Sequence, residues 1–115
     1  MRSPFEQQLT ALVRQPGVLA CLVVGESDGI IVDTVAQSGV DEHAVAALAA
    51  SLFRRARLSA RAAGLGAVGF LELEAECGHI CATGRDELVL VALTELRAPL
   101  GRLRGSMLQL AETLA

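Results

Sequence analysis

The pattern of apolar and polar positions divides the chain into eight predicted elements, beginning with a short helix. Ser3, Pro4 and Glu6 form a helix start signal: an N-cap serine, a proline at the first helical position, and a glutamate three residues after the cap. Apolar residues then recur at helical spacing as far as Val13. Proline and glycine at positions 16 and 17 are predicted to end this helix.

Two strands joined by a turn are predicted next. Residues 18–24 form an uninterrupted apolar run, which is typical of a strand buried on both faces. Residues 25–29 are rich in turn-forming residues, and the second strand is predicted over residues 30–35. The short connection between them favours an antiparallel hairpin.

A long helix is predicted from an N-cap at Asp41 to about residue 63, where Gly64 ends it. After it, three consecutive strands separated by short turns are predicted at residues 67–75, 79–83 and 87–93. A last helix begins near Pro99, with apolar residues three and four positions apart.

The resulting order, α-β-β-α-β-β-β-α, predicts a single domain of the α+β class that covers residues 1–115. Short connections between consecutive strands favour a mainly antiparallel sheet, and the helices are expected to cover its faces. No internal repeat or linker divides the sequence into further units.

The long helix carries two apolar sides. With an advance of about 100° per residue, one side is predicted to pack on the sheet, and it consists of Val45, Leu48, Ala49, Leu52, Phe53 and Ala56. A second stripe contains mostly small residues, namely Ala44, Ala47, Ser51, Arg55, Leu58 and Ala62. Between the two sides lies a positively charged ridge formed by Arg54, Arg57 and Arg61.

Two interpretations of the second stripe are open. The helix can be buried on one side only, with alanines that favour helix formation and arginines that are solvated. Alternatively, it packs on its own sheet and against a partner helix, which the length of the stripe and its lack of Asp and Glu favour. A two-fold homodimer would pair this helix with its own copy, and the arginines would then flank a docking surface for an acidic partner.

Composition excludes several classes of protein. Hydrophobic residues make up 52% of the chain and charged residues 20%, which is too apolar for a disordered protein. No apolar run approaches the roughly 18 residues of a membrane span, and residues 1–15 lack the apolar stretch of a signal peptide, so we expect a cytoplasmic protein. A net charge of −3 and the lack of Trp and Tyr argue against binding to nucleic acid.

The sequence contains no convincing catalytic or cofactor site. It lacks the phosphate-binding loop, the dinucleotide fingerprint and the nucleophile elbow of known enzyme classes. Cys77, His79 and Cys81 would share one face of an extended strand and could offer three ligands to a soft metal, but their spacing is not that of a zinc ribbon. Nothing in the spacing of Ser27, Asp28 and His79 requires a catalytic triad. We therefore expect a protein that is not an enzyme and that holds no metal or cofactor.

The order and spacing of several motifs resemble a Roadblock/LC7 domain over essentially the whole chain. These motifs are Gln15-Pro16-Gly17-Val18, Val23-Val24-Gly25-Glu26-Ser27-Asp28-Gly29, the alanine-rich helix, Glu87-Leu88-Val89-Leu90-Val91 and Leu100-Gly101-Arg102-Leu103. The resemblance implies a five-stranded antiparallel sheet with the long middle helix on one face and the two terminal helices on the other.

The same resemblance implies a homodimer formed through the middle helix and the third strand. Its interface would comprise Ala44, Ala47, Ser51, Arg55, Leu58 and Ala62, with Val68, Phe70 and Glu72 beside them. Bacterial, MglB-like members of that family regulate Ras-like small GTPases, whereas eukaryotic members serve dynein or act as scaffolds for GTPases. The resemblance thus implies a non-enzymatic regulator of GTP hydrolysis or nucleotide state that contacts its GTPase through Arg54, Arg57 and Arg61. An adaptor dimer without effect on turnover is the alternative.

Overall fold

Five antiparallel strands form one sheet, and three helices cover its two faces. The computed structural model describes residues 5–114, so the predicted helix-start residues Ser3 and Pro4 lie outside the described part. The order of elements confirms the predicted α-β-β-α-β-β-β-α arrangement. The helices are α1 (Glu6–Val13), α2 (Glu42–Ala62) and α3 (Leu100–Ala111), and the strands are β1 (Val18–Gly25), β2 (Ile31–Ala36), β3 (Leu71–Ala75), β4 (Gly78–Arg85) and β5 (Leu88–Glu95).

The strands lie side by side in the order β2-β1-β5-β4-β3. Every neighbouring pair is antiparallel, and β1, β5 and β4 occupy the centre of the sheet. The continuous apolar runs of β1 and β5 follow from burial on both faces. β2 and β3 are the two edges, each with one neighbour among the strands of residues 5–114.

Each face of the sheet has its own apolar core. On one face, α1 and α3 pack over side chains such as Val23 and Leu90. On the other face, α2 packs over side chains such as Leu22 and Val91. This arrangement confirms that the middle helix and the terminal helices lie on opposite faces. No helix of the described chain is long and apolar enough to cross a membrane.

The orientation of α2 about its own axis differs from the prediction. Its buried residues are Ala46, Ala49, Ala50 and Phe53, whereas Leu48, which the apolar pattern places on the sheet-facing side, is 48% exposed. Ala49 and Phe53 are buried as predicted, but the centre of the buried side lies roughly 80° from the centre of the predicted side, slightly less than the step of about 100° between neighbouring residues. Three alanines against the sheet let the helix lie closer to it than a leucine would.

The ring of Phe53 fixes this orientation. A Cβ atom built on Gly84 of β4 would lie 2.5 Å from Phe53 Cε2, so the ring occupies the space above a residue that has no side chain. Val45, Leu52 and Ala56, also predicted to face the sheet, are only partly buried. The side of α2 that is buried is therefore the one that packs Phe53 against Gly84, and not the side with the larger aliphatic residues.

Three strands begin later than predicted, β5 by one residue at Leu88, and for β2 and β3 the reason is local. β2 begins one residue late because the N–H of Ile30 donates to the Asp28 carboxylate (2.9 Å) inside the preceding turn. β3 begins at Leu71 rather than at residue 67. Just before it, the Gly69 carbonyl accepts a hydrogen bond from the Thr83 hydroxyl (2.9 Å) instead of from a backbone N–H of the sheet.

β2 contains a β-bulge near the end of β1. Val23 of β1 pairs with Asp33, whereas Val24 pairs with Ile31, so Val32 is an additional residue without a partner on β1. The side chain of Val32 is 47% exposed. The bulge interrupts the regular hydrogen-bond ladder of this edge strand.

We predict that Gly84→Ala destabilises the protein, because the new methyl group would overlap the Phe53 ring. Overpacking of a core typically lowers the free energy of unfolding by about 1–3 kcal/mol. Urea unfolding of the wild type and the variant measures this change.

Gly105→Ala is the matched control. Nothing lies within 4 Å of a Cβ atom at this helical glycine, so the same substitution should raise the free energy of unfolding by about 0.5–1 kcal/mol. Equal effects of the two substitutions would contradict the role assigned to the contact between Phe53 and Gly84.

Candidate protein-interaction surface

The outward face of α2 is a stripe of mostly small residues with two large apolar side chains and one arginine, Arg55. Leu58 is 53% exposed and Leu48 is 48% exposed; ten residues separate them, so they lie about 15 Å apart along the outward part of the helix. A contiguous apolar patch of this kind marks an interaction site more often than isolated exposed leucines do. We call this surface the α2 stripe; it consists of Ala44, Ala47, Leu48, Ser51, Arg55, Leu58 and Ala62, which are all exposed or, for Ser51, partly exposed.

An apolar groove adjoins the first part of the α2 stripe. It has a volume of about 430 Å³ and is lined by Ala44 and Leu48 of α2, Leu73 and Ala75 of β3, and Ile80 of β4, among others. The groove therefore joins the α2 stripe and the edge strand β3 into one continuous surface.

β3 presents different residues to the two faces of the sheet. Leu73 lines the groove on the α2 side, and Val68, just before the strand, packs in the core under α2. Phe70 packs instead in the core under α3, where the Arg104 guanidinium carbon lies 5.3 Å from its ring centroid. Glu72 alternates with Leu73 and is exposed on the same face as Phe70. Of the three residues predicted beside the stripe, only Val68 lies on its face of the sheet.

The three arginines of the predicted ridge have different surroundings. Arg57 forms a two-point ion pair with Glu26, with Nε–Oε1 and Nη2–Oε2 distances of 2.8 Å and 2.9 Å. The hydrogen bonds and the charge of Glu26 raise the pKa of the Arg57 guanidinium above its ordinary value. Arg54 donates to the Glu26 carbonyl at 2.9 Å. Arg61 is exposed and has no hydrogen bond or ion pair with residues 5–114.

Glu26 is a central residue that sequence analysis missed. Besides holding both arginines, its backbone N–H donates to the Glu87 carbonyl at 2.9 Å, so it connects the β1–β2 turn, the β4–β5 turn and α2. Its arginine partners lie 28 and 31 positions away in the chain. A glutamate in a turn-forming stretch carries no local signal for contacts at that separation.

The residues considered for a catalytic triad and those considered for a metal site do not come together as such sites require. Cys77 is exposed in the turn between β3 and β4. His79 is buried, with Nε2 3.1 Å from Glu74 Oε1 and Nδ1 3.4 Å from Thr94 Oγ1. The turn with Ser27 and Asp28 lies at the other end of the sheet, since β1 ends there opposite the start of β5. Among residues 5–114, no group of three His, Cys, Asp or Glu side chains could hold a metal ion.

The other two cysteines are buried. Cys21 of β1 and Cys81 of β4 both pair with Ala92 of the strand between them, so their backbones are about 9–10 Å apart, too far for a disulfide. Burial, with a smaller contribution from Cys81, raises the pKa of the Cys21 thiol to about 12. Burial and the nearby charge of Glu72 raise the pKa of the Cys81 thiol to about 11.

Comparison with known sequences identifies relatives along nearly the whole chain. The family model of the Roadblock/LC7 domain matches residues 4–94. Three uncharacterized proteins of Methanocaldococcus jannaschii are 28–29% identical to this chain, over 96–99% of its length and 96% of theirs.

Solved structures share the fold at low sequence identity. A Roadblock/LC7 domain from Streptomyces avermitilis is 20% identical with a TM-score of 0.83, covering 94% of this chain and 92% of that one. An MglB with a tetrameric arrangement is 20% identical with a TM-score of 0.84, covering 100% of this chain and 90% of that one. The gliding protein MglB from Thermus thermophilus is 17% identical with a TM-score of 0.76, covering 98% and 94%.

We predict that the protein loses stability as the pH rises above 9. The pKa values of about 12 for Cys21 and about 11 for Cys81 exceed the ordinary value of 9.0, so the unfolded chain releases these protons first. Above pH 9 the folded state therefore binds more protons than the unfolded state. The free energy of unfolding should fall by up to about 2.7 kcal/mol per pH unit in this range, whereas the contribution is fully present below it.

The composition of the chain makes this measurement selective. The sequence contains neither Lys nor Tyr, so cysteines are the only side chains whose ordinary pKa lies in this range. Urea unfolding at a series of pH values should give about half the slope for Cys21→Ala. The exposed-thiol variant Cys77→Ser should keep the wild-type slope, and an unchanged slope in Cys21→Ala would contradict the assignment.

Proposed function

Since the chain belongs to the Roadblock/LC7 domain family, we propose that it is a homodimeric, non-enzymatic regulator of a Ras-like small GTPase. It would modulate the GTP hydrolysis or the nucleotide state of that GTPase. The α2 stripe carries the proposal, because it is an uncovered apolar helix face continuous with an unpaired strand edge in the described structure. The likeness to MglB, a gliding protein, supports the role in small-GTPase regulation that the family resemblance implies.

The α2 stripe suits pairing with its own copy. In a two-fold dimer, antiparallel α2 helices that cross at Ser51 set the first half of one stripe against the second half of the other. Leu58 of one protomer then lies opposite Ala44 of its partner, beside the apolar groove. The small side chain of Ala47 lets the two helix backbones approach closely.

We assign the GTPase contact to Arg61 rather than to the whole arginine ridge. Arg54 and Arg57 are held by Glu26 and would have to leave it in order to reach a partner, whereas Arg61 is exposed. An exposed arginine suits an acidic switch region, which the dimer would bind and hold in one conformation. Hydrolysis would then rise because the GTPase's own groups are positioned, without insertion of an arginine.

A scaffolding dimer without effect on nucleotide turnover is the second candidate function. The internal contacts of Arg54 and Arg57 favour it, because the surface then offers docking area but few groups that could act on a nucleotide. The two candidates share the dimer and differ only in the turnover of the bound GTPase.

We predict that the wild type is a dimer at micromolar concentration and that Ala47→Glu and Leu58→Glu are monomers in sedimentation. Each substitution would bury an unpaired carboxylate against the partner's α2 stripe, which should weaken the dimer by at least about a hundredfold. Ala11→Glu, at an exposed position of α1, is the control and should stay dimeric. A monomeric wild type would refute the dimer directly.

We predict that a Ras-like GTPase from the same genome hydrolyses GTP faster when the wild-type protein is present. The increase should be about tenfold to a hundredfold, below the roughly 10³–10⁵ that an inserted arginine supplies. Arg61→Glu should weaken binding of the GTPase without changing the free energy of unfolding. Arg102→Glu, at an exposed position of α3, is the control and should bind the GTPase like the wild type. Binding of the GTPase without any change in its rate of GTP hydrolysis would contradict the proposed regulatory role and favour the scaffolding role.

A further inference from the structure

Two carboxylates of β3 lie on the face of the sheet opposite to α2. Glu72 and Glu74 are both exposed and pair in the sheet with Cys81 and His79 of β4. Cys81 belongs to the core under α3, which identifies the face. Glu74 has His79 Nε2 as a partner at 3.1 Å. Glu72 has no hydrogen bond or ion pair with residues 5–114.

The proposed dimer restricts which residues of β3 can face one another. The α2 stripe and the edge of β3 form one surface, so a dimer that pairs the α2 helices also brings the two β3 edges together. Both α2 helices must then lie on the same side of the joined sheet. Directly opposite residues of antiparallel strands share a face, so each glutamate of β3 faces a residue on the α3 side of the partner strand.

We consider the three pairings of β3 with its own copy that are centred on residue 72, 73 or 74. In each of them Glu72 lies opposite a carboxylate of the partner. When Leu73 faces its own copy, Glu72 faces the partner's Glu74. Moving the centre of the pairing by one residue places Glu72 opposite its own copy in one direction. In the other direction it places Glu72 opposite the partner's Glu76, the residue that directly follows β3. The Cβ atoms of directly opposite residues lie about 4.5–5.5 Å apart, and like charges at that distance are destabilising.

We propose that the dimer is restrained by its own charges: Glu72 of each protomer faces a carboxylate of its partner, so self-association strengthens when Glu72 is neutralised or screened. The inference rests on the proposed homodimer. On this face Arg104 already lies over the Phe70 ring, and His79 already contacts Glu74. Cys81, which faces Glu72 from β4, is a buried thiol with a raised pKa and adds no positive charge.

The restraint and the α2 stripe act on the same equilibrium in opposite directions. Apolar contacts of the stripe favour the dimer and depend little on salt at moderate concentration, whereas repulsion between exposed carboxylates is screened by salt. The affinity of the dimer therefore depends on ionic strength in the sense opposite to that of an interface held by ion pairs.

The test measures the dissociation constant of the dimer by sedimentation equilibrium at about 0.1 M and about 1 M NaCl, where the Debye length is about 10 Å and about 3 Å. The wild type should dimerise about threefold to tenfold more tightly at the higher concentration. Glu72→Gln should gain a similar factor already at the lower concentration and lose most of the salt dependence. Glu6→Gln removes the same charge from α1, which packs at the opposite edge of the sheet, and should behave like the wild type.

The outcomes separate this inference from the proposed function. A folded Glu72→Gln dimer that is no tighter than the wild type at low salt would overturn the restraint and leave the dimer intact. Equal gains from Glu72→Gln and Glu6→Gln would also overturn it, because net charge would then be responsible. A chain that is monomeric in all three forms at both salt concentrations would overturn the proposed dimer itself, and the restraint with it.

Discussion

The contact between the Phe53 ring and Gly84 determines how α2 sits on the sheet, and the interaction surface depends on that placement. Only a residue without a side chain leaves room for the ring at this point of β4, and three alanines of α2 pack close to the strands beside it. With that side of the helix buried, its other side has to face outward. The exposed position of Leu58 is thus a consequence of packing on the far side of the same helix.

The order of elements could be predicted from the sequence because apolar runs, turn residues and helical spacing are local signals. The orientation of α2 could not, since both of its sides are apolar and the buried one consists mainly of alanine. By hydrophobicity, Leu48 is a better candidate for burial against the sheet than Ala46 or Ala50. The small alanines, however, let the helix approach the sheet more closely, and they are the residues that are buried. The six residues of the second stripe were nevertheless found together, because helical spacing alone groups them whichever side is buried.

The arginine ridge illustrates the limit of such reasoning at the candidate site. Spacing placed Arg54, Arg57 and Arg61 on one side of α2, and the structure keeps them there. Their availability depends on Glu26, which comes from a distant turn and occupies two of them. A pattern within one helix cannot contain that information. For function, this means that the number of arginines on the helix face overestimates how many can contact a partner protein. Of these three, Arg61 is the one that remains available.

The bulge at Val32 bears on how large an assembly of this chain can become. A sheet joined through β3 would be bounded at both ends by β2, the other edge strand. There the additional residue puts the backbone donors and acceptors out of step with any incoming strand, and the neighbouring Ile30 N–H is already occupied by the Asp28 carboxylate. Growth by strand addition would therefore stop at ten strands instead of continuing into a fibre. The bulge at Val32 would thus make this edge of the joined sheet a poor template for a further strand.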